Sequence, residues 1–580
     1  MSSHVWERLR PHWPFTLVAI LGLALVLSNL GKDYLWADEG DTAVLAANII
    51  KGGVPKAWDG VTFLDSDKGA RLNHNLVMVT SPWLQYYVTG ASFVIFGKHA
   101  FSARLPFAIA GWLTVLVAYR LILQSTASHW AGFCTASILV SSVQFLLYCR
   151  QCRYYALSML LALLLLWIFL QMKSARHCVW FAVVAILLFH AHPIGSVPVI
   201  ALGALTIAYR PFFSQRRWFW TAAPAIALLT LPWIALAGSG YAESMGSVQS
   251  IPQFAGRIVQ YMIECASVTP LLGATILLLF QSVRKRFANK KQMSTESSIA
   301  NVTRIENQGS AIIIVTFVTL LLYAVMIAAT QPADSLWRIG IRYTAAVLPL
   351  MAMTAGILIT RITGDRAILS VLLISVFIFT KFAQLTPWIF WGKTVASFDG
   401  KEVIEAHLPS NFIERFLNTR QQSIFLSDLF QSNLGTVANV CAFLRDYADA
   451  GDKLITNYEW EPLYFHTRLP QALKILPDYP IYQTAKLKGL PTYVFDVDQV
   501  RWVIWRPVWE GYQEYFGAEV EQQIVDRGGR IERVAELPET LWENRENIHF
   551  RRFPGGRYLF HGPETFPPAT IFRVVWPAQH

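Results

Sequence analysis

The segment Leu35–Asp41, LWADEGD, places Asp38, Glu39 and Asp41 within four residues. Directly before it runs FTLVAILGLALVLSNL, an apolar stretch without a single charge. Carboxylates at that point can be ordinary solvated helix-exit residues, or the acidic centre of a site at a membrane face. The next fourteen residues favour the second reading. In TAVLAANIIKGGVP the positions Ala43, Ala46, Ala47 and Ile50 repeat at helical spacing, so the acids fall at the N-terminus of a short amphipathic helix. The positive end of the helix dipole favours ionised carboxylates there. An ionised carboxylate can take a proton from a hydroxyl nucleophile, which makes Asp38 the candidate base and Glu39 its partner. Asp41 reads as a first-turn acid.

Cations form the second half of the pattern. Arg150 and Arg153 sit in CRQCRYYALSM beside Tyr154 and Tyr155, Arg338 and Arg342 lie four residues apart in SLWRIGIRYTAAV, and Arg104 opens a helix in FSARLPFAIAG. Guanidinium groups at a membrane surface suit bidentate binding of a lipid phosphate. Structural roles at helix junctions are the competing reading. His190 and His192, in FHAHPIG, have no evident third partner for a metal. His192 is kept as a substrate-binding candidate with Tyr154 and Tyr155. Glu264 lies within an apolar run and is a further candidate by that position. The triplets Asp65-Ser-Asp67 and Asp496-Val-Asp498 match the metal–nucleotide motif of soluble sugar transferases in spacing alone, and are read as chance. No cofactor is called for, although a divalent metal could assist.

The elements that must position these groups are membrane spans. Of 580 residues, 54% are apolar and 15% charged, against about 25% charged in soluble domains. Eleven apolar runs are expected to span, at 15–30, 105–123, 130–148, 156–172, 178–190, 194–209, 218–238, 258–280, 311–330, 343–360 and 367–391. The run at 83–96 is short and aromatic-rich and reads as an interfacial helix. The expected fold is therefore mainly α: a polytopic bundle over 1–394, with a first external loop at 31–104 and a cytoplasmic linker at 284–310. An α/β domain is expected over 395–580, with strands at DKLITN and RWVIWRP.

Charge sets the orientation. The loop RKRFANKKQ belongs in the cytoplasm, and Lys173, Arg176, Arg216, Arg217, Arg361 and Arg366 then fall on the same side. The candidate site and the C-terminal domain come to lie on the external face, that of the periplasm if the membrane is a bacterial inner membrane. The net charge of +11 reports this topology rather than nucleic-acid binding. Of six cysteines only Cys441 lies in the C-terminal domain, which excludes an internal disulfide there. Cys149 and Cys152 have C-x-x-C spacing without the context of a thioredoxin-type motif.

Four segments in this order resemble the GT-C superfamily of membrane glycosyltransferases, in particular the protein O-mannosyltransferase and aminoarabinose-transferase-like branch. They are WADEGDTAVLAANIIKGGVP, FGKHAFSARLPFAIAG, RQCRYYALSMLLALL and IRYTAAVLPLMAM. The resemblance implies transfer of a sugar from a polyprenyl-phosphate donor to an acceptor on the non-cytoplasmic face. It implies Asp38 as the catalytic carboxylate, the base on the acceptor hydroxyl, Glu39 as its neighbour in the motif, and Arg104, Arg153 and Arg342 near the donor phosphate. Two departures leave the sugar and the acceptor open. Relatives carry a His- or Lys-Pro-Pro-Leu motif where this chain has Thr80-Ser81-Pro82-Trp83-Leu84, and some carry an acid where it has Ala156, Leu157 and Ser158. A lipid-saccharide transporter or flippase would instead show inverted repeats and mid-membrane charges. A membrane-anchored binding protein would be indifferent to Asp38. The expected partners are the lipid-linked donor, a lipid, glycan or protein acceptor, and membrane lipids.

Overall fold

A computed structural model describes residues 13–64, 71–244, 250–267, 269–288, 299–330, 341–364, 366–380, 419–430, 435–457, 460–472, 481–507, 518–539 and 567–577. Arg338, the triplet Asp65-Ser-Asp67 and the side chain of Glu264 lie outside the described residues.

Helices dominate. In chain order they are α1 (Trp13–Leu27), α2 (Ala37–Gly52), α3 (Leu84–Phe96), α4 (Ala100–Thr126), α5 (His129–Ser141), α6 (Val143–Cys149), α7 (Tyr155–Leu170), α8 (Ala175–Ala191), α9 (Val197–Ala208), α10 (Phe213–Ser244), α11 (Ile251–Ser267), α12 (Leu271–Ala288), α13 (Ile299–Thr330), α14 (Leu348–Thr363) and α15 (Ala367–Phe379). Among the described residues four helical segments are long and apolar enough to cross a bilayer: Ala100–Thr126, Arg210–Ala235, Gln308–Ala329 and Arg342–Thr363. Shorter apolar helices accompany them, including α7 with 16 residues and α8 with 17. The chain is an integral-membrane helical protein. α14 sits deepest, with every residue from Leu348 to Thr360 buried.

Two runs expected as single spans are broken. The run at 130–148 bends by 71° between α5 and α6. Ser142 is extended there (φ −76°, ψ 107°), and its hydroxyl accepts from the Phe145 N–H. That hydroxyl caps the new helix and replaces a missing intrahelical partner, which makes the break a stable one. The run at 258–280 divides into α11 and α12, because Pro270 has no N–H with which to continue the first helix. α11 is amphipathic and begins seven residues before the expected span, at Ile251.

The C-terminal region holds α16 (Thr419–Phe430), α17 (Thr436–Tyr447), α18 (Trp460–Thr467), α19 (Tyr482–Leu487) and α20 (Ala518–Asp526), and α17 and α20 pack on one sheet. Its strands are β1 (Lys453–Thr456), β2 (Val500–Trp505), β3 (Arg530–Leu537) and β4 (Ala569–Val575), in the order β1-β2-β4-β3. β1 and β2 are parallel, while β4 runs antiparallel to both β2 and β3. DKLITN and RWVIWRP thus supply adjacent strands. Arg506 and Glu539 close the sheet's end with a buried ion pair at 2.7 Å, to which the Thr436 hydroxyl donates at 2.6 Å. The carboxylates of Asp496 and Asp498 both pair with Arg527, at 2.5 and 2.9 Å.

Candidate active site

The acidic stretch opens α2. Trp36 is extended (φ −93°, ψ 173°), and the helix begins at Ala37 with Asp38 and Glu39 in its first turn. It ends at Gly53, whose φ of +74° is a left-handed conformation that glycine adopts without a Cβ penalty. Consecutive helical residues point about 100° apart. Asp38 and Glu39 therefore meet different surroundings.

Glu39 is fully buried. Its carboxylate accepts Arg104 Nε at 2.9 Å and Nη2 at 2.6 Å, and the Cys152 N–H at 3.0 Å. The rest of the Arg104 guanidinium donates to the carbonyls of Leu30, Asp33 and Tyr34, at 3.1, 2.8 and 3.0 Å. These carbonyls belong to the chain between α1 and α2, so Arg104 fastens that connection to the foot of the acidic turn. Arg150 works similarly on α1 itself. Its Nη1 reaches the carbonyls of Leu25, Val26 and Ser28 at 2.9, 3.1 and 2.8 Å, satisfying groups that a helix C-terminus leaves open.

Asp38 faces the other way, and its side chain is 35% exposed. Arg153 Nη2 lies 3.1 Å from Asp38 Oδ2, and Arg342 Nη1 lies 3.7 Å from the same oxygen. Arg153 Nη1 also donates to the Asp38 carbonyl and the Thr42 hydroxyl, each at 3.3 Å. Partial burial alone would raise the Asp38 pKa. Arg153, then Arg342 and Arg71, outweigh it and hold the carboxyl below the usual range, so it is ionised at neutral pH. Asp41, one turn on, lacks such close pairing. Burial pushes its pKa up to about 6, against the pull of Arg153 and Arg71, and Oδ1 has no hydrogen-bond partner among the described residues.

Between α6 and α7, the sequence Arg150-Gln-Cys-Arg-Tyr-Tyr sorts its residues by contact. Arg150 binds α1, the Cys152 N–H binds Glu39, and Arg153 binds Asp38. The Tyr154 N–H is taken by Gln85 Oε1 at 3.1 Å, from α3. Tyr155 is fully buried and packs on Tyr148, with ring centroids 4.5 Å apart. The Tyr154 ring stacks on His192 at 4.1 Å and 11°, and His192 stacks in turn on Tyr343 at 5.4 Å and 7°. Arg153 lies over Tyr154 at 5.6 Å, and Arg342 over Tyr343 at 5.1 Å. A column of three parallel rings thus runs between the two arginines that hold Asp38. His190, by contrast, contacts the Leu229 carbonyl at 3.2 Å, away from this column.

Several buried polar atoms here have no hydrogen-bond partner among the described residues: Arg153 Nε, His192 Nδ1 and Ser158 Oγ, besides Asp41 Oδ1. Each unpaired buried group costs about 1–3 kcal/mol. Native proteins tolerate such groups where something else binds them. The open donor on Arg153 suits an anionic oxygen, and the partly exposed Asp38 carboxylate suits a hydroxyl.

One further residue escaped the sequence reading. Arg257 projects from α11 over the ring of Tyr261, 6.0 Å from its centroid, and α11 packs on the turn Ile341–Val347 that carries Arg342 and Tyr343. Cys265 Sγ contacts Thr344 Oγ1 at 3.5 Å across that interface. The missed signal was the charge in IPQFAGRIVQYMIECAS, where Arg257 and Tyr261 share one face at i and i+4.

No protein-family model matches the sequence, and no curated protein matches it. Solved structures do match in fold. The crystal structure of ArnT from Cupriavidus metallidurans bound to undecaprenyl phosphate aligns over 100% of both chains, with 12% identity and a TM-score of 0.54. The apo structure of the same protein aligns over 96% of this chain and 97% of that one, with 12% identity and a TM-score of 0.52. The fold is GT-C-like.

Proposed function

We propose that the protein is an integral-membrane glycosyltransferase, which moves a sugar from a polyprenyl-phosphate-linked donor to a hydroxyl on a lipid, glycan or protein acceptor at the external face. The observation that carries this reading is the Asp38 carboxylate, accessible and ionised between Arg153 and Arg342. The GT-C-like fold supports it, as does the undecaprenyl phosphate bound by the ArnT structure.

In this reading the acceptor hydroxyl gives its proton to Asp38 as its oxygen bonds to the anomeric carbon. The bond from that carbon to the phosphate oxygen breaks, and the electron pair leaves with polyprenyl phosphate. Arg153 and Arg342 stabilise the charge developing on that phosphate. A single displacement of this kind inverts the anomeric centre. Tyr154 and His192 form the wall along which the sugar lies, and Tyr155 backs it. Glu39, Arg104 and Arg150 act by holding α1, α2 and the arginine junction in register. Arg338 is retained as a cation on the chain leading into Arg342. The C-terminal region shares the external side with the site.

The test is incubation of the purified protein with a panel of polyprenyl-phosphate sugars and extracted envelope acceptors. Transfer from one donor is expected, and Asp38→Asn should lower turnover about 100- to 10,000-fold with folding intact. Transfer by the asparagine variant at the wild-type rate would defeat the reading.

A further inference from the structure

The catalytic turn is held from outside the membrane bundle. Gly40 stands two residues after Asp38, and a Cβ at its position would lie 2.5 Å from Pro462 N, 2.6 Å from Pro462 Cδ and 2.9 Å from the Glu461 carbonyl carbon. Backbone and ring atoms cannot rotate away from such a contact. α2 and α18 therefore meet backbone to backbone at the turn that carries Asp38 and Glu39. At the other end of α18, His466 Nε2 accepts the Leu35 N–H at 3.2 Å, two residues before α2 begins. The His466 ring lies 4.3 Å from that of Tyr34, whose hydroxyl takes a hydrogen bond from Arg445 of α17. Burial, with the charges of Arg104, Arg468 and Arg445, pushes the His466 pKa down to about 3. The ring is thus neutral and free to accept. Tyr464 donates to Asp59 Oδ2 at 2.5 Å, and Phe465 stacks on Phe93 of α3 at 5.8 Å. One short helix thus grips the residues before α2, the first turn of α2, and the loop after it.

We infer that α18 is a positioning element of the active site, and that Gly40 and His466 are the positioning residues through which it sets the place of Asp38. The inference rests on the glycosyltransferase reading and assigns the C-terminal region a part in turnover itself. A catalytic group displaced by about 1 Å can cost about 100-fold in rate. The Gly40–Pro462 contact leaves an added methyl no space short of such a displacement.

The experiment uses the full-length protein in detergent, with the donor that scores in the panel and with undecaprenyl phosphate as a separate binding probe. Gly40→Ala should lower kcat by about 100-fold while leaving the donor KM and the undecaprenyl phosphate Kd within about threefold. His466→Phe removes the acceptor for the Leu35 N–H and should lower kcat by about tenfold, whereas His466→Gln, which can still accept, should restore most of it. Wild-type kcat in Gly40→Ala would overturn the inference. Equal kcat losses in His466→Phe and His466→Gln would overturn it too, as would a parallel loss of undecaprenyl phosphate binding, which marks general unfolding. If Asp38→Asn is inactive and Gly40→Ala is fully active, positioning by α18 fails and the transferase reading stands. If Asp38→Asn is active, the transferase reading itself fails.

Discussion

The pair Glu39–Arg104 should behave as one structural unit, and a double-mutant cycle measures this. Glu39 is fully buried, accepting two N–H groups from Arg104 and one from Cys152. Breaking a buried ion pair from one side costs about 3–5 kcal/mol, because a charge is left uncompensated. Glu39→Gln keeps an acceptor and leaves Arg104 its three carbonyl partners, so a loss near 3 kcal/mol is expected. Arg104→Met strands the carboxylate with one N–H and frees those carbonyls, which places it near or above 5 kcal/mol. The double variant has no charge left to strand. Its loss should therefore fall short of the sum by about 2–3 kcal/mol, the upper part of the range for residues in direct contact. The assay is equilibrium unfolding in mixed detergent and SDS micelles, followed by helical circular dichroism, with undecaprenyl phosphate binding measured below the transition. Binding by the folded Glu39→Gln protein should stay near wild type, since Asp38, Arg153 and Arg342 are untouched. Additivity within about 0.5 kcal/mol would refute the reasoning, as would wild-type stability in Glu39→Gln.

Arg153→Met should weaken undecaprenyl phosphate binding at least about tenfold, the scale of one hydrogen bond to a charged group. It should also move the acidic limb of the pH–rate profile upward, because Asp38 loses the nearer cation that keeps it ionised; an unmoved limb would count against Asp38 as the base. Asp41→Asn should stabilise the protein above pH 6, by up to about 3 kcal/mol, since a carboxyl held near 6 when folded and near 3.9 when unfolded weakens the fold as pH rises between those values. Unfolding midpoints at pH 4 and pH 8 test this, and an equal difference from wild type at both would sink it. His466 carries the opposite dependence. Its folded pKa is near 3 and its unfolded value near 6.5, so its share of stability is complete above 6.5 and falls with pH at up to about 1.4 kcal/mol per unit. Proteolysis of the C-terminal region between pH 7 and 4 should show that loss, and His466→Gln should flatten it.

Much of this was legible in the sequence. The apolar runs, the acidic turn after the first of them and the arginine–tyrosine junction all stand out locally, as do the strands at 453–456 and 500–505. Local pattern could not show which carboxylate faces which arginine. Arg104 and Glu39 are 65 residues apart, and only the helical rotation between Asp38 and Glu39 separates an accessible oxygen from a sealed one. Nor could it separate arginines that bind carbonyls from those that border the site, since the open carbonyls exist only once α1 has ended. The breaks at Ser142 and Pro270 had signals in the chain, a capping serine and a helix-stopping proline, but continuous hydropathy masked both. Contact between Gly40 and Pro462 spans more than 400 residues and has no local trace.

α7 and α8 have 16 and 17 residues, so their helical lengths are about 24 and 26 Å, against a hydrocarbon core of about 30 Å. α8 stops just before His192 and carries the exposed Val179, Trp180, Val183 and Leu187, so this short outward-facing wall borders the site, whereas α7, which starts just after Arg153, has no exposed residue. A bilayer meeting a short wall thins to match it, at a cost of a fraction of a kcal/mol per ångström. The leaflet surface should therefore dip beside the ring column, bringing lipid headgroups level with the arginines. A lipid-borne phosphate would then reach them without leaving its own leaflet, and turnover should be slower in vesicles of longer-chain lipids.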